Sequence, residues 1–133
     1  SAGIERSRII VDPGLGFGKT AGHNLDLLAR LDEIVALGVP VLVGASRKSF
    51  IGQVTGVEAP DERLAGSLAC AVWAVGKGAV IVRAHDVAST VQAVGMVRSL
   101  ETRQQGNKAT RQRGNNVKGQ KEEIESRWKA ATG

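Results

Sequence analysis

Short apolar runs alternate with longer stretches of helical periodicity along the first hundred residues. Arg8-Ile9-Ile10-Val11 is the first run, and Asp12-Pro13-Gly14 stops it. Leu25, Leu28, Leu31 and Val35 then fall on one helical face, which Leu27 and Ile34 widen. Asn24 suits the N-cap of that helix, Gly38 suits the position after its end, and Pro40 keeps it from continuing. A second run, Val41-Leu42-Val43, ends at Gly44. A loop through Gly52, Gly56 and Pro60 leads to a helix predicted from Asp61, as its cap, to Val75. Leu64, Leu68, Ala71, Val72 and Val75 form its apolar face, and Gly76 and Gly78 end it. The third unit is Ala79-Val80-Ile81-Val82 followed by a helix over 88–100, with Val91, Val94, Met96 and Val97 expected inward.

The runs are brief, rich in Val and Ile, and apolar on both faces. Strands of parallel sheets covered by helices have this character. Asp12, Ser46 and His85 each follow a run and are spaced by 34 and 39 positions. A (β/α)₈ barrel uses about 31 residues per unit. The spacing suits such a barrel and also a doubly wound sheet. Polar, reactive side chains just after each strand favour the barrel, because parallel strands deliver those positions to one rim.

Composition changes the picture at the end of the chain. The 133 residues carry a net charge of +5. Residues 1–101 are neutral, so all of that charge lies in residues 102–133. The tail has one larger aliphatic residue, Val117, between Thr102 and Gln120. It buries too little to offset ordering entropy, and 102–119 is expected to be disordered. A short helix over 121–131 would set Ile124 and Trp128 at i, i+4. The domain expectation is therefore a partial barrel over 1–101 and a basic tail over 102–133. The single cysteine, Cys70, excludes a disulfide framework or a multi-cysteine metal site. With no bilayer-length apolar run and no apolar signal region at the start, a cytoplasmic protein with no membrane partner is expected.

The chemistry sits at the strand ends. Asp12-Pro13-Gly14-Leu15-Gly16-Phe17-Gly18-Lys19-Thr20 ends like a phosphate loop. Pro13 occupies the place of the first glycine that template requires, and Lys19 breaks the dinucleotide template. Three glycines around Phe17 suggest a loop offering an aromatic ring to a ligand, against the alternative of a glycine turn with Phe17 in the core. Asp12 can accept paired N–H donors from an amidine-like heterocycle, or cap the loop, or pair with Lys48. Lys48 can donate to a carbonyl, Arg47 can serve an anion or an ion pair, and Ser49 can meet a carboxylate or cap the next segment. Arg83 and His85, two apart on a strand, face the same way and suit a pyrophosphate. His23 reads as loop surface.

Four blocks, D-P-G-L-G-F-G-K-T with H-N, V-G-A-S-R-K-S-F-I-G, E-R-L-A-G-S-L-A-C-A and I-V-R-A-H-D-V, closely resemble the C-terminal half of dihydropteroate synthase over residues 3–101. The resemblance implies the sixth to eighth strands of a (β/α)₈ TIM barrel. It implies a transferase of folate synthesis that joins 6-hydroxymethyl-7,8-dihydropterin pyrophosphate to 4-aminobenzoate and releases pyrophosphate. By this resemblance Asp12, Gly16, Lys48 and Arg83 would hold the pterin, and Phe17, Ser46 and Ser49 the aminobenzoate, whose site sulfonamides occupy. Arg83 and His85 would bind the leaving pyrophosphate, and Lys48, Arg83 and His85 would be the catalytic set.

The resemblance also implies a Mg²⁺ whose ligand lies upstream of this chain, so no metal ligand is expected here. It implies a homodimer built on helices 61–75 and 88–100. Nucleic acid is not expected as a partner. With three of eight units present, an incomplete and inactive fragment is expected, or one completed by a separate N-terminal half. The competing readings are a pterin-binding domain of a folate-dependent methyltransferase, which needs neither the S-R-K-S block nor the R-x-H pair, and a noncatalytic remnant with an RNA-binding tail.

Overall fold

Three stretches of extended chain run parallel in the computed structural model, which describes residues 3–132. Strands β1 (Leu42–Val43) and β2 (Ile81–Val82) pair in parallel, with Leu42 opposite Ile81 and Val43 opposite Val82. Val11 joins the other side of β1 as a single parallel bridge to Val41. The predicted strand over 8–11 is thus reduced to one residue, and Arg6–Arg8 forms a 3₁₀ turn. The cause is Pro40. Val11 donates to the Pro40 carbonyl and accepts from Leu42 N–H, but the next ladder bond toward Ile9 would need an N–H that Pro40 lacks.

Helix α1 (Ala21–Ala29) and the short α2 (Leu31–Val35) follow the first strand end. The cap of α1 is Thr20, whose Oγ1 accepts from His23 N–H at 3.2 Å, and not Asn24. Asn24 lies inside the helix and is buried. Arg30 interrupts the expected continuous helix, and Leu28 and Leu31 on either side both reach the core. Leu25 is exposed.

After β1 the loop expected through Gly52 is instead helix α3 (Ser49–Thr55). It ends at Gly56, whose φ of 76° is the left-handed conformation suited to glycine. Gly52 allows the chain to fold back closely, because a Cβ there would stand 2.5 Å from the Val57 carbonyl oxygen. Asp61 falls in a 3₁₀ turn (Pro60–Glu62), and helix α4 (Leu64–Gly76) is capped at Arg63, two residues later than predicted. The Arg63 guanidinium, bonded to the carbonyls of Val57 (2.9 Å), Arg47 (2.9 Å) and Glu58, holds that junction. The core lies between the sheet and helices α1 to α4. Leu15, Leu31, Val41, Val43, Phe50 and Ala74 are at its centre, and Cys70 packs partly buried at its edge. Burial pushes the Cys70 thiol above its ordinary range, which disfavours the reactive thiolate.

Helix α5 (Val87–Thr132) runs through the segment expected to be disordered. The compact unit containing the sheet ends at Gly95, six residues before the expected boundary, and the chain from Met96 is a unit of its own. Of the helix positions expected inward, Val91 and Met96 are exposed. The more buried stripe runs through Thr90, Val94 and Val97, and those two residues fall beside it. Every described residue from Arg98 onward is exposed, Ile124 and Trp128 included. That stretch holds no proline and many Lys, Arg, Gln, Glu and Ala residues, all good helix formers, so local propensity gives it helical form without burial. No helix among the described residues is long and apolar enough to cross a membrane.

Candidate functional site

Parallel pairing brings the ends of the three strand segments to one side of the sheet. Asp12, the Gly44–Lys48 turn and the Arg83–His85 segment all lie there. An open cleft of about 670 Å³ is bordered by Gly44, Ser46, Lys48, Arg83 and His85. Gly44 makes room for the arginine on the next strand. A Cβ at Gly44 would stand 3.2 Å from Arg83 Nε and 3.3 Å from Nη2.

Lys48 ties the cleft to the glycine-rich loop. Its Nζ donates to the Leu15 carbonyl and lies 4.7 Å from the centre of the Phe17 ring. Its stem passes over Gly16, where φ is 81° and a Cβ would stand 2.8 Å from Lys48 Cδ. Glycine is needed at 16 on both counts. Phe17 itself is 66% exposed, so the reading of an offered ring describes its position and the core alternative does not. Asp12 Oδ1 accepts from Gly14 N–H at 2.8 Å, and the Lys19 ammonium bonds the carbonyls of Gly14 and Phe17 at 2.8 and 3.0 Å. Asn24 pins the loop from below. Its Oδ1 accepts from Gly16 N–H at 2.7 Å, and its Nδ2 donates to the Thr20 carbonyl at 2.9 Å.

Burial, followed by the nearby positive charge of Arg83, holds Lys48 below the ordinary lysine value, while Asp12 works in the opposite direction. The sign for stability follows from linkage. The unfolded chain holds this proton more tightly, so the destabilising contribution is fully present at neutral pH and is relieved as pH rises toward about 10.4. Urea unfolding of the wild type and of Lys48→Met should show the variant ahead at pH 7 and the difference shrinking by pH 10. A constant difference across that range would remove the electrostatic explanation.

The turn carrying Lys48 is fixed at Arg47, whose φ of 60° is unusual for a residue with a Cβ. Its N–H donates to Ser67 Oγ at 2.9 Å, and its carbonyl accepts from Arg63. Its guanidinium forms a two-point pair with Asp86 at 3.0 and 3.3 Å, so Arg47 serves an ion pair here. The hydrogen bonds that Arg47 donates to Asp86, together with the charge of that carboxylate, raise Arg47 above the ordinary arginine value. Asn24, Ser67 and Asp86 were missed as site supports. Ser67 and Asp86 stand inside two of the recognised blocks, and that was their signal.

Ser46 reaches the cleft but is engaged by His85, with Oγ 3.0 Å from Nδ1 and 3.2 Å from the His85 backbone nitrogen. Ser49 opens α3 and borders a neighbouring groove with Gly52, Gln53 and Arg63. His23 is exposed on α1. The site residues therefore divide into a cleft group of Ser46, Lys48, Arg83 and His85, and a loop group of Asp12, Gly16 and Phe17 joined to it through Lys48. Ser49 lies apart from both. Among the described residues no three His, Cys, Asp or Glu side chains stand together as a metal site would require.

Parallel strands, covering helices and a polar rim at the strand ends define a segment of a (β/α)₈-barrel enzyme. Comparison with known proteins identifies the kind. Residues 1–85 match the pterin binding enzyme family, and the chain belongs to that family. It is 55% identical over 96 residues to dihydropteroate synthase of Escherichia coli K12, covering 72% of this chain and 34% of that protein. The dihydropteroate synthase structure of Yersinia pestis superposes with a TM-score of 0.72 at 48% identity, covering 76% of this chain and 47% of that one. That of Xanthomonas albilineans in complex with 7,8-dihydropteroate gives 0.73 at 47% identity, over 74% and 38%, and the same synthase has been solved with 4-aminobenzoic acid. The chain spans about a third of the length of the whole relatives it matches.

Proposed function

We propose that this chain supplies part of the active site of a dihydropteroate synthase: the side that holds the pterin pyrophosphate and receives the leaving group. The observation that carries the reading is the convergence of Lys48, Arg83 and His85 on one cleft beside Asp12 and an exposed Phe17. It occurs in a chain about half identical to synthases solved with the dihydropteroate product and with 4-aminobenzoic acid.

The reaction exchanges a C–O bond for a C–N bond at the pterin methylene. The C–O electron pair leaves with pyrophosphate, and negative charge builds on its oxygens. Arg83 and His85 stabilise that charge where it develops. Lys48 donates to the ring, and the Asp12 carboxylate, free at one oxygen beyond its bond to Gly14, accepts ring N–H groups. Positive charge then grows at the methylene, and the aminobenzoate amine attacks it, forms the C–N bond and sheds one proton to solvent. No nucleophilic side chain is needed. Phe17, with an exposed face, walls the aminobenzoate.

Calorimetric titration of the chain with a non-hydrolysable analogue of 6-hydroxymethyl-7,8-dihydropterin pyrophosphate tests this. Saturable binding is expected. Asp12→Ala should weaken it about tenfold, the effect of one hydrogen bond to a charged group, ~1.5 kcal/mol. A chain that is folded by circular dichroism yet shows no saturable binding would overturn the assignment of this cleft.

A further inference from the structure

We infer that Ser46 is the positioning residue that sets the tautomer of His85. The residues are 39 apart in sequence and meet because of the β1–β2 register. Ser46 Oγ lies 3.2 Å from the His85 backbone nitrogen, whose N–H it accepts, and 3.0 Å from Nδ1 of the ring. A main-chain N–H can only donate, so that bond uses one lone pair and leaves the hydroxyl proton free to be given away. The remaining partner is Nδ1. If Nδ1 accepts, the hydroxyl proton has a partner in the cluster, whereas an Nδ1–H donating to the second lone pair would leave that proton with none; the contact therefore favours the neutral ring with its proton on Nε2.

The consequence is chemical. A neutral imidazole biased in this way presents an N–H at Nε2, the donor that an anion needs. An unfixed ring would spend part of its time with Nε2 bare. When the ring is protonated, Nδ1–H donates to the second lone pair of Ser46 instead, so the same contact holds the ring in both states. Ser46 is exposed enough to border the cleft, but its hydroxyl is committed to the histidine. It therefore acts on an anionic ligand through His85 and does not touch the aminobenzoate. This rests on the proposed pyrophosphate role of His85 in its consequence for binding; the tautomer itself does not depend on it.

The test uses the full chain with ¹⁵N-labelled histidine. The chain has two histidines, and His23→Gln assigns the signals. Long-range ¹H–¹⁵N spectra at about pH 8.5, where an ordinary imidazole is neutral, should show His85 with an acceptor-type Nδ1 and a protonated Nε2. Ser46→Ala should move both nitrogens toward the averaged values of a free imidazole, and Ser46→Thr should restore them. A wild-type His85 with averaged or Nδ1–H shifts, or no change in Ser46→Ala, overturns the inference.

Titration with inorganic pyrophosphate gives a second readout. Ser46→Ala should weaken binding about threefold to tenfold and Ser46→Thr should recover it. In a His85→Gln background Ser46→Ala should cost nothing more, because its effect runs through the ring. An equal loss in both backgrounds would make Ser46 a direct ligand and overturn the positioning role. If wild type fails to bind pyrophosphate, the pyrophosphate reading of the cleft falls, and the spectra still decide the role of Ser46.

Discussion

Replacing Arg83 with Gln is expected to weaken binding of inorganic pyrophosphate by roughly a hundredfold. The guanidinium has no ion pair among the described residues, in contrast to Arg47, which Asp86 occupies. It stands over Gly44, where the missing Cβ leaves its head-group free to face the cleft. A planar fork meeting two phosphate oxygens makes two charge-assisted hydrogen bonds. Each is worth about 1.5 kcal/mol or more, so losing both costs ~3 kcal/mol, about two factors of ten in Kd. Arg83→Lys keeps the charge and loses the fork, and should recover only part of the affinity. Removing Arg83 also removes a positive neighbour of Lys48, which should move the lysine back toward its ordinary value. Calorimetry at two salt concentrations checks the assignment. The affinity should fall with salt in wild type and fall less steeply in Arg83→Gln. A loss below threefold would place the leaving-group site elsewhere.

The strand ends were legible in the sequence because the apolar runs are short and the residues after them are polar. Asp12, Ser46, Lys48, Arg83 and His85 could be placed on one rim from that pattern alone. The exposure of Phe17 was legible from the glycines around it. What could not be read were contacts that depend on register or on close approach. An asparagine ahead of a helical periodicity reads as a cap, yet Asn24 is spent on Gly16 N–H eight residues back, and Thr20 does the capping. Ser46 can be placed on the rim from its position after a strand, but its contact with His85 follows only from the pairing of Leu42 with Ile81. Helix α3 was hidden by Gly52, a residue that ordinarily weakens a helix and is there because Val57 passes so near. The helical form of 102–132 was hidden for a different reason: apolar content measures burial, and this segment is helical without any.

Leu31→Ala is expected to lower the unfolding free energy by about 3 kcal/mol, within the range of ~2–5 kcal/mol for a buried leucine. Leu31 is 0% exposed, in the core cluster with Val41 and Val43 of the central extended segment, so the cavity opens beneath the strand that leads into the cleft. The sheet cannot close that cavity cheaply. Val11 gives it one bridge on one side, β2 is two residues long on the other, and the ladder offers few bonds to hold a shifted strand. Small domains are stable by about 5–15 kcal/mol, so this single loss removes a large fraction. Ile124→Ala, on an exposed turn of α5, is the matched control and should change stability by less than about 0.5 kcal/mol. Urea unfolding followed by circular dichroism and by Trp73 fluorescence separates the two. The Trp73 indole donates to the Leu28 carbonyl at 2.7 Å and reports on the compact unit. Pyrophosphate at saturating concentration should return part of the stability lost in Leu31→Ala, since a ligand bound only by the folded state stabilises it by mass action. It should return far less in a Leu31→Ala, Arg83→Gln double variant, whose affinity is about a hundredfold lower. Equal rescue in both would mean that the anion binds elsewhere.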